Sequence, residues 1–254
     1  MELLKTSIRR TKVGEVAYIA INAALPFVLL FLVQGFDTAY PALVLVLLSK
    51  WRVFALRPRF WWANIKSNFV DFLVGVSYVG LLYLSIGTLW PMVVLAVAYA
   101  AWLLYLKPKS DHASIMLQAG IAQFAALVVL FNLSVVVHEL FVVAGCFIIG
   151  YIIARHVVTN FEEDHPEFIS YAWGLVLSQL SWLLYRWTIS YDLRLPFDVP
   201  QIALLVLVVS MAVGRLYGAA KAHRLTKGLV RTTMIYSAAL IAIILIFADW
   251  SATS

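Results

Sequence analysis

The sequence predicts an all-α protein, a polytopic transmembrane helical bundle of about nine spans with its N-terminus cytoplasmic and its C-terminus external. Three observations predict it: the composition, the spacing of the apolar runs, and the placement of lysine and arginine. Apolar residues make up 63% of the chain and charged residues 13%, against roughly 25% charged in soluble domains. A 254-residue chain cannot hide that much apolar surface from water. Its solvent is lipid, where a spanning helix needs about 20 mostly apolar residues and must satisfy its own backbone hydrogen bonds.

The apolar runs lie at 18–34, 40–56, 69–86, 89–106, 113–131, 133–154, 168–187, 199–218 and 232–250. The first follows a basic start, Lys5, Arg9, Arg10 and Lys12. It is too long for a signal-peptide core and no small-x-small cleavage site follows, so it reads as an uncleaved span. Residues 1–17 read as a basic interfacial segment and 18–250 as the bundle, within a single domain spanning 1–254. The second run ends in Lys50 and Arg52, which must snorkel. Turns without charge around Gly87 and Asn132 make tight hairpins of the third and fourth spans and of the fifth and sixth. The segment 188–198 is only a loop.

Lysine and arginine fix the orientation. Counting alternate gaps as cytoplasmic leaves only Arg186 and Arg194 outside, the asymmetry of a protein of the bacterial inner-membrane type. Tryptophan agrees, with Trp51, Trp61 and Trp62 at cytoplasmic span ends and Trp90, Trp187 and Trp250 at external ones. The net charge of +6 therefore points to anionic lipid headgroups at the cytoplasmic face and not to nucleic acid. The single cysteine, Cys146, excludes a disulfide framework or thiolate metal site within one chain.

Charged groups at membrane depth are functional candidates by default. His138 and Glu139 fall about a turn and a half inside the sixth span. With Arg186 they form either an intramembrane polar clasp or a proton or cation site; adjacent helical residues point about 100° apart, which favours the clasp. Asn64, Asn68, Asp71, Gly75 and Tyr78 share one helical stripe, lining a cytoplasm-facing cavity or docking the third span. Asp71 is the prime intramembrane candidate. Gln118, Gln123 and Gln179 are mid-membrane amides that bond either one another across helices, the default, or a substrate. Ser170, Gly174, Ser178 and Ser181, and likewise Ser210, Gly214 and Gly218, match small-xxx-small packing.

The loop Glu162, Glu163, Asp164, His165, Pro166 and Glu167 has two readings. Clustered carboxylates can hold Mg²⁺ and through it a diphosphate, with Glu163 and Glu167 as ligands. Equally, Asp164, Pro166 and Glu167 have the spacing of a capped helix start. No phosphate-cradling glycine loop, nucleophile elbow or zinc-protease motif is present. No predicted span interior carries a lysine for a Schiff base.

Nine spans, a cytoplasmic start, an external end and an acidic cluster after the sixth span together resemble the intramembrane prenyltransferase superfamily, which attaches isoprenoids to aromatic or other acceptors. The resemblance implies Mg²⁺ and a prenyl diphosphate held between two Asp-rich motifs. Glu163 and Glu167 stand at the four-residue spacing of the second motif, as Glu in place of Asp. The first motif, N-D-x-x-D-x-x-x-D, has no counterpart, because no carboxylate occurs between Lys50 and Asp71.

The sequence thus predicts a multi-pass membrane protein with a structural, lipid-interacting or transport role and no required cofactor. One alternative is a Mg²⁺-dependent lipid or isoprenoid-diphosphate transferase at the cytoplasmic face, with Asp71, Asn68, Arg57 and Arg59 as catalytic or phosphate-binding candidates. Another is a proton-coupled carrier using Asp71 or the His138 and Glu139 region.

Overall fold

The computed structural model describes residues 12–50, 57–185 and 189–248. Among the described residues ten α-helices follow one another: α1 Lys12–Phe36, α2 Tyr40–Ser49, α3 Trp61–Ser67, α4 Phe69–Leu84, α5 Leu89–Ala101, α6 His112–Leu133, α7 Glu139–Asn160, α8 Pro166–Tyr185, α9 Gln201–Lys221 and α10 Lys227–Ile246. Among the described residues, seven helices are long and apolar enough to cross a membrane, with α2 and α4 as shorter apolar helices. The residues of the expected interfacial segment before Lys12 lie outside the described ones, as do Arg52, Trp51, Trp187 and Trp250.

Capping chemistry moves several helix ends from where hydropathy alone puts them. The Asp111 carboxylate accepts from the Ser114 amide at 3.0 Å and starts α6. Thr226 Oγ1 accepts from the Leu229 amide, so α10 starts at Lys227 rather than at 232. Each bond satisfies one of the four amides a helix start leaves open. The expected sixth span began at 133, but α6 ends there and α7 starts only at Glu139. The intervening Val135 and Val136 are apolar and exposed, which is why hydropathy cannot see the break.

The polar stripe from Asn64 to Tyr78 is not one helix. Asn68 ends α3 and starts α4 with φ −106° and ψ 8°. The Asn68 amide donates back to the Asn64 carbonyl at 2.8 Å and Ser67 Oγ to the same oxygen at 2.9 Å. Such local side-chain bonds compete with helix continuation. The turn at Gly87 is tight because its φ of 87° suits glycine. The segment expected to be only a loop carries one strand of a ribbon, β1 Ser190–Tyr191, paired antiparallel with β2 Val199–Pro200 at the start of the next expected span. Asn132 holds it to the end of α6, donating to the Asp198 carbonyl at 2.7 Å and accepting from the Asp198 amide at 3.0 Å.

Helix α6 is the hub, packing on α4, α7 and α9, while α10 rests on α9 at the rim. The serine and glycine stripe of α8 is buried against α7. A Cβ on Gly150 would lie 3.0 Å from the Cα of Gly174, so two backbones meet where no side chain fits, the usual contact in lipid. Outward faces are apolar: Met234, Ile235, Ile243 and Ile246 of α10 and Phe31 of α1 are all exposed. Long apolar helices with apolar outer faces make this an integral, multi-pass membrane protein.

Candidate functional site

The charged groups gather where α2, α5 and α7 end and α4, α6 and α8 start. Asp71, in the first turn of α4 and 8% exposed, accepts at one oxygen from Lys50 at 2.5 Å and from Lys107 at 2.7 Å. Lys50 caps the C-terminus of α2. Lys107 follows a π-helical turn, Trp102–Leu106, closed by the Lys107 amide on the Trp102 carbonyl at 2.8 Å. Such a wide turn is rare and re-aims the residue after it.

A second carboxylate is held the same way. Glu167 accepts from Lys66 at 2.7 Å and from the Tyr151 hydroxyl at 2.6 Å, and Arg155 lies 2.5 Å from it. Four cations therefore share two carboxylates. Between these two clusters opens a cavity of about 430 Å³ whose lining includes Lys66, Lys107, Lys109, Arg155 and His156. Ser67, Ser110, Thr159, Asn160 and Gln118 complete most of its wall, and no carboxylate occurs among the described lining residues.

Gln118 organises the back of this cavity. Its amide nitrogen donates to the carbonyls of Leu106 at 2.8 Å and Lys109 at 2.9 Å, and its oxygen meets His156 Nε2 at 3.1 Å. The amide thus ties down the chain that follows the π turn and orients the imidazole at the same time. It does not bond another glutamine, as the sequence had suggested. Gln179 is exposed, and Gln123 is fully buried with neither amide atom hydrogen-bonded.

Asp71 itself is buried, while the cavity mouth carries the exposed Ser67, Lys109, Ser110, Thr159 and Asn160. Helices α4 and α6 pack together, with Gly80 against Val129.

The other sequence candidates fall into separate places. Asn68 bonds within the α3–α4 junction. Arg57 and Arg59 are exposed, with Arg59 over the Phe60 ring at 4.5 Å. Tyr78 donates to the Pro26 carbonyl at 2.9 Å and stacks on Tyr99, so the end of the polar stripe docks α4 on α1 and α5. His138 is not inside a span; it caps the start of α7, its Nδ1 accepting from the Leu140 amide at 3.2 Å. Glu139 is the first residue of α7. Arg186, the third member of the expected clasp, lies outside the described residues.

The acidic loop divides. Helix α8 starts at Pro166 with Glu167 in its first turn. Glu163 turns instead to the end of α9, accepting from Lys221 at 2.6 Å and from the Tyr217 hydroxyl. The Lys221 ammonium, helped by that hydroxyl, holds the Glu163 carboxyl below the usual glutamate range. Glu163 and Glu167 are thus neutralised by different cations on different helices, and no grouping of three His, Cys, Asp or Glu occurs among the described residues. A Mg²⁺ shared by the two would require both to leave those partners, so the donor set in this arrangement does not fit the ion.

Sequence reading missed Lys66, Lys107, Lys109, Arg155 and His156 as one site, although the four cations do fall in gaps assigned to one face. Comparison with known proteins finds no matching family model, no matching curated protein and no matching solved structure.

Proposed function

We propose that this is a lipid-interacting protein of the bacterial inner-membrane type, with nine crossings and a cytoplasmic N-terminus, whose basic cavity binds a phosphate-bearing anion at the cytoplasmic face. One observation carries the reading: four cations share two carboxylates, and three of them, Lys66, Lys107 and Arg155, line a cavity to which Lys109 adds a further positive charge. Cations packed together below the ends of membrane helices repel one another and are poorly hydrated. A phosphate oxygen offers them acceptors, and charge-assisted hydrogen bonds of this kind contribute about 1.5–3 kcal/mol each. The recess favours a lipid headgroup, since a headgroup phosphate at the membrane boundary can reach into it. A dissolved phosphate compound offers the same oxygens.

The test is native mass spectrometry of the full chain released from nanodiscs that mix phosphatidylglycerol with phosphatidylcholine. Retained phosphatidylglycerol should exceed phosphatidylcholine, and Lys109→Glu should lower that preference about tenfold, the equivalent of roughly 1.4 kcal/mol. Displacement of the lipid by millimolar inorganic phosphate would point to a soluble ligand. Equal retention of both lipids, unchanged by Lys109→Glu and by added phosphate, would remove the proposal. Reporter tags at Met1 and Ser254 should appear on opposite faces of the membrane.

A further inference from the structure

On the far side of α6 and α7 from the basic cavity lies a half-open chamber of about 90 Å³, bordered by α8 and α9. No charged residue occurs among its described lining residues. Two polar side chains in its wall are left without partners. Gln123 is 0% exposed and both its amide atoms lack a hydrogen bond; Ser210 Oγ is buried and equally unpaired. Leaving such groups unsatisfied is costly, so the lining suits an occupant that can hydrogen-bond.

The chamber adjoins a larger groove of about 700 Å³ that α6, α9 and α10 form, with Thr233 on its wall also buried and unpaired. Met116 and Met211 line both spaces. Each sits over a glycine of the opposite helix. A Cβ on Gly214 would overlap the Met116 methyl carbon, and one on Gly120 would lie 3.2 Å from the Met211 sulfur. The glycines therefore make notches filled by two side chains with three rotatable bonds each. Methionines so placed stand between the groove and the chamber.

We propose that the chamber takes a membrane-dissolved long-chain alcohol, which enters sideways past Met116 and Met211, sets its hydroxyl on Gln123 and Ser210, and leaves its chain in the groove. A hydroxyl both donates and accepts, so it can serve the Gln123 oxygen and nitrogen at once. A charged head is excluded, because nothing in the wall pairs with it and burying it alone is prohibitive. Water is the competing occupant, as the chamber has room for several molecules.

A diazirine-bearing long-chain alcohol tests the proposal on the full chain in phosphatidylcholine vesicles. Saturable crosslinks are expected next to Met116 and Met211, competed by the unlabelled alcohol and not by a hydrocarbon of equal length. Gln123→Leu should cut the saturable labelling at least tenfold, and Ser210→Ala less. Both should leave the anionic-lipid preference of the basic cavity unchanged, so failure here is distinct from failure there. The melting midpoint gives a second readout: the alcohol should raise it for the wild-type chain and not for Gln123→Leu. Equal competition by the hydrocarbon, or labelling unchanged in Gln123→Leu, would overturn the assignment. A chamber holding water only would leave both the midpoint and the labelling indifferent to the alcohol, which would equally overturn it.

Discussion

Two glutamines on one helix separate the two halves of this protein. Gln118 and Gln123 are five residues apart on α6, which places their side chains about 140° apart around the axis. Gln118 looks toward the charged end of the bundle, where two carbonyls and an imidazole satisfy it. Gln123 looks the other way, into a chamber walled by methyl and methylene groups, and has no partner. On one side of the α6–α7 pair the excess is positive charge; on the other it is unmet hydrogen-bonding capacity in hydrocarbon. The same chemistry is structural in the first place and available for a ligand in the second, and only the neighbouring helices decide which.

Removing a charge from the first half should have the largest effect. Asp71 stands between two ammonium groups with side-chain exposures of 13% and 31%, and is itself 10% exposed. Asp71→Asn keeps the shape and removes the only charge opposing both lysines there among the described residues. Breaking a buried pair in this way costs about 3–5 kcal/mol. Denaturation in mild detergent should show that loss, and the combination of Lys50→Met, Asp71→Leu and Lys107→Met should recover most of it. A loss below about 1 kcal/mol would mean that the cluster is hydrated like a surface pair.

A smaller effect with opposite signs sharpens the contrast. Gln118→Leu strips two carbonyls and His156 of a partner and should destabilise by about 1–3 kcal/mol. Gln123→Leu removes atoms that have no partner and should be neutral or stabilising in the absence of added alcohol. Equal losses from the two substitutions, measured in the same detergent, would show that Gln123 is satisfied by a group the chamber holds permanently.

Much of the fold was legible in the sequence and much of the site was not, for reasons that lie in particular residues. The long helices announce themselves because lipid demands long apolar runs, and the α8 stripe from Ser170 to Ser181 was readable as packing because close helix approach in lipid demands small residues. The start of α7 was hidden behind Val135, Val136 and Val137, which score as membrane whether helical or not. Asp71 stood out by the cost of a carboxylate at depth, but its partners did not. Lys107 reaches it through a π turn that no local pattern announces, and Lys50 arrives from a helix that hydropathy could not bound. The basic cavity joins Lys66 to Arg155 through Glu167, a residue whose loop position had suggested either a cap or a metal ligand. Gln123 carried no signal of its own, because an unpaired amide and a paired one are identical in sequence.

The smallest effect tests whether the acidic loop belongs to the structural or to the ligand-binding side of this division. Glu163 joins the α7–α8 connection to the end of α9 through Lys221 and Tyr217, and its carboxyl is held below the usual glutamate range. A group with a depressed folded-state value adds stability above its unfolded value and loses it as pH falls through the folded one. The contribution of Glu163 is therefore full above a pH of about 4.3, the ordinary glutamate value, and fades below it. Because the pair is open to solvent and screened, the shift in melting midpoint should be slight. It should nevertheless be absent from Glu163→Gln when the two chains are compared from pH 6 down to about 3, and protease cleavage near Lys221 should rise over the same window in the wild-type chain alone. If Glu163 instead holds a cation with Glu167, the wild-type midpoint at neutral pH should rise on adding Mg²⁺ and that of Glu163→Gln should not, which would move the loop from the framework of the fold to its chemistry.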